Sequence, residues 1–328
     1  MITYTRFKSA TRYKPCTANR NASTASINTQ YSQFSSFTRA TSQVVKRLAQ
    51  VVAESRYGHA AWVSSCSQRA VRTLARTMSA HASACNRSGN VPTARSASAR
   101  AREALLHAHA ARAGLAPALI ASDPGGAFLI TEFVPGRVWD ASDMGEAPAL
   151  ARLGERLRTL HALPAPKATG FDPATLLQRH AARIAAADPA EGGALAPWLT
   201  RAGAILEACR ASARSACLVH NDLHHANVLS AGSALYLIDW EYAAVTDPRF
   251  DLACLLAYYP QAVRHASLLL EASGLAAPGA ARELTGLTWV YVLLSYLWYR
   301  ALRLLEPAAA PGDDTDSERA LLSRLRGG

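Results

Sequence analysis

The sequence predicts an α+β fold, a small mixed segment near the middle of the chain followed by a mostly helical lobe, and three observations predict it. Two short apolar runs, residues 119–122 and 127–133, bracket the turn Asp123-Pro124-Gly125-Gly126 and read as paired strands. Three long segments after residue 147 and three more after residue 248 have the length and apolar content of helices. Between these helical groups lie brief apolar runs at 217–219 and 235–239, which fit strands flanking a loop.

The elements follow in order. Residues 1–95 have a different texture from the rest. Residues 1–100 hold 27 Ser or Thr and two glycines, and only 41–54 and 70–78 have helical character, so weak structure is expected there. Residues 99–113 are Ala-rich, include Glu103, Leu105 and Leu106, and stop at Gly114, the pattern of a helix with a glycine terminator. Pro135-Gly136 breaks the chain after the strand pair. Helices are expected over 147–163, 173–187 and 194–213, then over 248–259, 262–273 and 280–305. The expected divisions are therefore an irregular basic segment (1–95), a small lobe with its connection (96–135) and a helical lobe (136–328).

Charge narrows the function classes. The net charge is +11, but residues 1–100 hold 15 Lys or Arg against one acid, Glu54, while the remainder holds 20 basic and 23 acidic residues. The basicity belongs to one end of the chain, so a nucleic-acid partner is not expected. The apolar run 286–299 is shorter than the roughly 20 residues of a spanning helix and rich in Trp and Tyr, so a buried helix and no membrane span are expected. Residues 1–20 are polar and basic, without the apolar stretch of a secretory leader. The six cysteines form no C-x-x-C pair and read as thiols of a cytoplasmic protein.

The chemistry lies in Leu218-Val-His-Asn-Asp-Leu-His-His-Ala-Asn-Val-Leu229 and, ten residues after Asn227, in Leu237-Ile-Asp-Trp-Glu-Tyr242. Phosphoryl transfer needs a carboxylate that orients a hydroxyl and accepts its proton, and hard oxygen ligands for Mg²⁺ at the phosphates. Asp222, Asn227 and Asp239, each beside an apolar strand, supply that ordered set. A zinc hydrolase reading of His220, Asp222, His224 and His225 lacks the usual order of ligands and further histidines downstream, His265 aside.

This motif set resembles the aminoglycoside phosphotransferase and choline kinase superfamily, and more narrowly choline/ethanolamine and bacterial thiamine kinases. The resemblance implies a protein-kinase-like, two-lobed fold with an aberrant N-terminal lobe, and an ATP- and Mg²⁺-dependent transfer to a small alcohol. It implies that Asp222 is the catalytic base, that Asn227 and Asp239 bind Mg²⁺, and that His220 ties the catalytic loop to the core. Phe250-Asp251-Leu252-Ala253 matches the helix whose acid, Asp251, braces that loop. Leu129-Ile-Thr-Glu-Phe-Val-Pro-Gly136 looks like the hinge that meets adenine through the backbone at Glu132, Phe133 and Val134. Leu153-Gly-Glu-Arg-Leu-Arg-Thr-Leu-His161 looks like the helix after it, and Glu103 sits where the family has the acid that pairs with the ATP lysine. Trp240, Glu241, Tyr242, Trp289 and Trp298 are the candidates for the acceptor pocket, since aromatic rings with an acid suit an organic cation. Core packing is the competing reading for the tryptophans.

The resemblance stops upstream of residue 99. Residues 1–95 contain no Gly-rich strand-turn-strand; Lys46 lies far from Glu103, and Arg87 sits in Cys85-Asn-Arg-Ser-Gly-Asn90, which is not strand-like. Two readings of this segment stay open: a degenerate phosphate-cradling lobe, or translation out of frame. The first makes a non-catalytic, pseudokinase-type binding protein the alternative to an enzyme. The sequence leaves the acceptor and the oligomeric state open.

Overall fold

The computed structural model describes residues 2–5, 97–123, 129–167, 170–210, 212, 214–305 and 314–327. The helices expected at 41–54 and 70–78, three of the cysteines and the Pro124-Gly125-Gly126 turn lie outside the described residues. The chain divides into two units, Met1–Ala104 with Ala118–Phe133, and Leu105–Pro117 with Val134–Gly328. The division falls within helix α1 (Ala97–Arg112).

In the first unit, β1 (Ile2–Thr5), β2 (Leu119–Ser122) and β3 (Leu129–Glu132) form an antiparallel sheet in the order β1-β3-β2. Ile2 faces Glu132 and Thr5 faces Leu129 across β1 and β3, and a register shift interrupts β2 against β3 between Leu119 and Ala121. Leu129 and Ile130 are buried, while Glu132 at the end of β3 is exposed.

The second unit begins with the end of α1. Gly114 takes a left-handed conformation (φ +68°), and the Leu115 N–H returns to the Ala110 carbonyl at 3.0 Å, so the expected glycine terminator closes the helix. The strands of this unit are β4 (Arg137–Val138), β5 (Cys217–Val219), β6 (Val228–Ala231), β7 (Ala234–Leu237) and β8 (Ala244–Thr246). β6 and β7 make a tight hairpin that turns at Gly232, whose φ of +59° suits the two-residue loops matched to strand twist. β4 crosses β6 so closely that a Cβ on Gly136 would stand 2.3 Å from the Ser230 carbonyl oxygen. β5 pairs with β8, not with β7. The strands β4, β6 and β8 were not legible as runs, because each is short and is stabilised by its cross-strand partner.

Helices α2 (Ala147–His161) and α3 (Pro173–Ala187) are amphipathic. Leu150, Leu153, Leu157 and Leu160 are buried along one face of α2, and Leu177, His180, Ala181 and Ile184 along one face of α3. Pro173 occupies the first position of α3, and the Asp172 carboxylate caps it by accepting from the Ala174 and Thr175 N–H groups. Short α4 (Pro189–Ala194) leads into α5 (Ala196–Arg210). After β8 come α6 (Arg249–Tyr258), α7 (Ala266–Ala272), the 26-residue α8 (Ala280–Leu305) and α9 (Asp314–Gly327). α8 packs on α6, α3, α5 and α9 and carries much of the apolar core. Among the described residues no helix is long and apolar enough to cross a membrane.

Two expectations change. The helix expected over 262–273 is a 3₁₀ turn, Pro260–His265, followed by α7. Arg264 and His265 bond the Gly145 carbonyl at 2.9 and 3.1 Å, and Pro260 has no N–H to continue a helical ladder. α9 was not expected, because its own sequence is too polar to signal a helix. It is held by tertiary bonds, Arg303 to Glu318 at 2.7 Å and Arg324 to the Ala257 carbonyl, and by the buried Leu325.

Candidate active site

The loop between β5 and β6 carries His220, Asp222 and Asn227. Asp251, in the first turn of α6, is wholly buried beneath it. Its carboxylate accepts three hydrogen bonds: from the Asn221 N–H at 2.7 Å, the His220 N–H at 3.2 Å and His161 Nε2 at 2.9 Å. Satisfying both carboxylate oxygens offsets the cost of burying it. His161, at the end of α2, lies 90 positions away in sequence, and nothing in its spacing announces the pairing.

His220 is fully buried and gives its Nε2 proton to the Ile238 carbonyl at 3.0 Å, and its ring meets Trp240 edge-on. Burial holds its imidazole below the ordinary range, partly opposed by the Asp251 charge, so it is a neutral strut. The Ile238 N–H returns to the Asn227 carbonyl at 3.0 Å. Two bonds therefore tie the β5–β6 loop to the residue before Asp239, fixing where that carboxylate leaves β7.

Asp222 is 8% exposed. Asn227 Nδ2 donates to its Oδ2 at 3.0 Å, the Tyr258 hydroxyl donates to its Oδ1 at 3.2 Å, and His224 Nε2 stands 3.6 Å from Oδ2. Burial, and then the negative charge of Asp239, push the Asp222 carboxyl up to about 7, with the Tyr258 and Asn227 hydrogen bonds pulling the other way. Asn221 (φ +59°) and Asp239 (φ +65°) are the two non-glycine left-handed residues among those described, and they flank this site.

His225 takes a clear role. Its N–H donates to the Tyr259 hydroxyl oxygen at 2.9 Å, and the same hydroxyl is hydrogen-bonded to His225 Nδ1, 2.6 Å away. In the sequence Tyr258 and Tyr259 read only as the end of a helix. The exposure of Tyr258 at 44%, despite its aromatic ring, is what marks it.

Asp222, Asn227, Asp239, His220 and Asp251 are thus brought together within the second unit. Glu241 acts electrostatically on Asp222, and Tyr242 is 38% exposed. Trp240 is 1% exposed, with its indole N–H on the Leu237 carbonyl at 3.0 Å, and is part of the core, not a pocket wall. Trp289 is buried in α8 beneath the Arg201 guanidinium, 4.2 Å from its ring, and Trp298 packs edge-on to Tyr299. Val134 is half-buried at the start of the second unit. Glu103, buried on α1, and Glu132 and Phe133 on and after β3 belong to the first unit. Among the described residues no group of three or more His, Cys, Asp or Glu is placed to hold a metal ion.

Known proteins share this arrangement of elements. A choline/ethanolamine kinase family protein from Mesorhizobium loti superposes with a TM-score of 0.59 at 22% identity, over 70% of this chain and 79% of that one. Choline kinase LicA from Streptococcus pneumoniae gives 0.58 at 16%, over 70% and 81%. A LicA structure in complex with AMP gives 0.56 at 17%, over 70% and 79%. At these identities the shared property is the kinase-like fold. Protein LicA of Haemophilus influenzae is 40% identical over 52 residues, which are 16% of this chain and a fifth of that protein. Residues 44–284 match the family described as "Phosphotransferase enzyme family", a span that starts upstream of the resemblance read from residue 99. With that match covering most of its length, the chain belongs to the aminoglycoside-phosphotransferase-type family of phosphotransferases.

Proposed function

We propose that this chain moves the γ-phosphoryl group of ATP to the hydroxyl of a small alcohol, with Asp222 as the base. The observation that carries this reading is the setting of Asp222: a buried carboxylate aligned by Asn227 and Tyr258, with a proton affinity raised towards neutrality. Such a group accepts a hydroxyl proton as the new O–P bond forms and the bond from the γ-phosphorus to the bridging oxygen of ADP breaks. Catalysis is then mainly positioning and charge neutralisation.

The donor set at the site fits magnesium. Asn227 spends its two amide hydrogens on the Asp222 carbonyl and carboxylate, which leaves its own carbonyl oxygen for a cation. Asp239 adds an exposed carboxylate, and two hard oxygen ligands are the number magnesium commonly takes from protein. When bound, Mg²⁺ neutralises charge on the phosphates. By their match to the family pattern, Glu103 and the backbone of Glu132, Phe133 and Val134 are assigned to the ATP side.

The acceptor we favour is a cation, choline or ethanolamine first and thiamine second. Asp239 and Glu241 gather negative charge near Asp222, and Tyr242 and Tyr258 expose aromatic surface. The relatives carrying choline kinase names support the same class. ATP as donor fits a cytoplasmic enzyme. The test is ADP formation from Mg·ATP with choline, ethanolamine and thiamine offered separately. Acceptor-dependent turnover supports the reading; Mg·ATP binding with no turnover on any of them favours a non-catalytic binding protein instead.

A further inference from the structure

We propose that Cys254 and Tyr291 form a buried clamp that fixes the backbone torsions of Asp222, and that both are positioning residues for the base. Calling Asp222 the base rests on the reading above; the clamp itself does not.

The Leu223 N–H donates to Cys254 Sγ at 3.2 Å, and the Tyr291 hydroxyl donates to the Asn221 carbonyl at 2.8 Å. Cys254 thus holds the loop from α6 and Tyr291 holds it from α8, with one hydrogen bond each.

The two ends of the clamp are significant. The Asn221 carbonyl belongs to the peptide plane before Asp222, and the Leu223 N–H to the plane after it. A residue has two soft backbone torsions, so holding both adjoining planes fixes its φ and ψ. Asp251 does not do this, because it binds the N–H groups of His220 and Asn221, on one side of Asp222 only. Cys254 stands three residues beyond Asp251 on α6, and Tyr291 comes from α8, so both helices grip the loop. Cys254 is fully buried and Tyr291 8% exposed, so water does not readily substitute for either. Burial also pushes the thiol well above its ordinary range, so it stays uncharged.

The experiment uses the full chain with Tyr291→Phe, Cys254→Ala and Cys254→Ser, all first checked for folding by circular dichroism. Amide hydrogen exchange across 220–227 reads the clamp without any need for activity. Cys254→Ala should speed exchange of the Leu223 amide by roughly fivefold to tenfold, the worth of one hydrogen bond, and Tyr291→Phe should speed exchange across 220–227 by freeing the other end of the clamp, while Cys254→Ser, which keeps a donor and an acceptor, stays near the parent. Unchanged exchange in Tyr291→Phe and Cys254→Ala overturns the clamp. The second readout is kcat against KM with the acceptor found active: kcat should fall about tenfold with KM for ATP and acceptor unchanged, and Cys254→Ser should restore it. Faster exchange with parental kcat overturns the positioning role. A parent that turns over no acceptor defeats the phosphotransferase reading, while the exchange result still decides the clamp.

Discussion

Asn227 gives both hydrogens of its side-chain amide to Asp222, one to the backbone carbonyl at 2.9 Å and one to Oδ2 at 3.0 Å. The 3₁₀ turn His225–Asn227 makes this geometry possible by folding the loop back on itself within five residues. The carboxylate cannot rotate without breaking a bond, and its Oδ1 is left facing the Tyr258 hydroxyl. Orientation of the proposed base is therefore built into the loop before any substrate arrives.

Replacing Asp222 with Asn keeps the shape and removes the proton acceptor. Turnover should fall by about 10²- to 10⁴-fold, the range for loss of a general base. The melting temperature should remain close to that of the parent. Equal rates in Asp222→Asn and parent, measured by ADP release, would reject the assignment.

Asp251 satisfies two backbone N–H groups and His161 in a site with no solvent access. Asp251→Ala leaves these donors unpaired. Each orphaned group costs about 1–3 kcal/mol, so urea unfolding should show a loss of at least about 3 kcal/mol. A loss below about 1 kcal/mol would mean that the loop finds other partners.

Gly136 has no room for a side chain beneath the Ser230 carbonyl. Gly136→Ala should destabilise by about 1–3 kcal/mol through forced separation of β4 from β6. The bond from Trp139 Nε1 to Ser230 Oγ, 2.7 Å in the parent, is the first contact such a shift would strain. Thermal melting and indole fluorescence report the two effects separately.

His180 is buried on α3, and that burial, reinforced by Arg179 and Arg183, pushes its imidazole down to about 4. Unfolded, it takes a proton near 6.5. Between these values the unfolded chain binds more protons than the folded one, so stability rises with pH across the window and is lost as pH falls. By pH 4.5 this residue alone should remove roughly 2 kcal/mol relative to pH 7.5. His180→Leu should flatten that acid limb by a similar amount; urea titrations at pH 7.5, 5.5 and 4.5 give the comparison. Parallel limbs in the two proteins would show that the imidazole gains its proton in the folded state as readily as in the unfolded.

Helices with strong local signals were legible in the sequence. Residues 173–187 and 280–305 have the same limits in sequence and structure, because Pro and an Asp cap set one start and apolar density marks the other. The loop chemistry was legible for a related reason: Asp222, Asn227 and Asp239 are close in the chain and each adjoins an apolar run. The partners that hold the loop were not. Tyr258 and Tyr291 reach it from 36 and 70 positions away, and His161 reaches Asp251, which braces it, from 90. Their spacing carries no periodic signal, and one of the expected pocket residues, Trp240, is turned into the core by its bond to the Leu237 carbonyl.

By itself the sequence determined which groups are available for chemistry and on which short loop they sit, since spacing along a chain is a covalent property. Only the tertiary structure decided how those groups are oriented and how tightly Asp222 holds a proton. Both depend on burial and on donors delivered by α2, α6 and α8, and packing, not proximity in the chain, brings those helices to the loop.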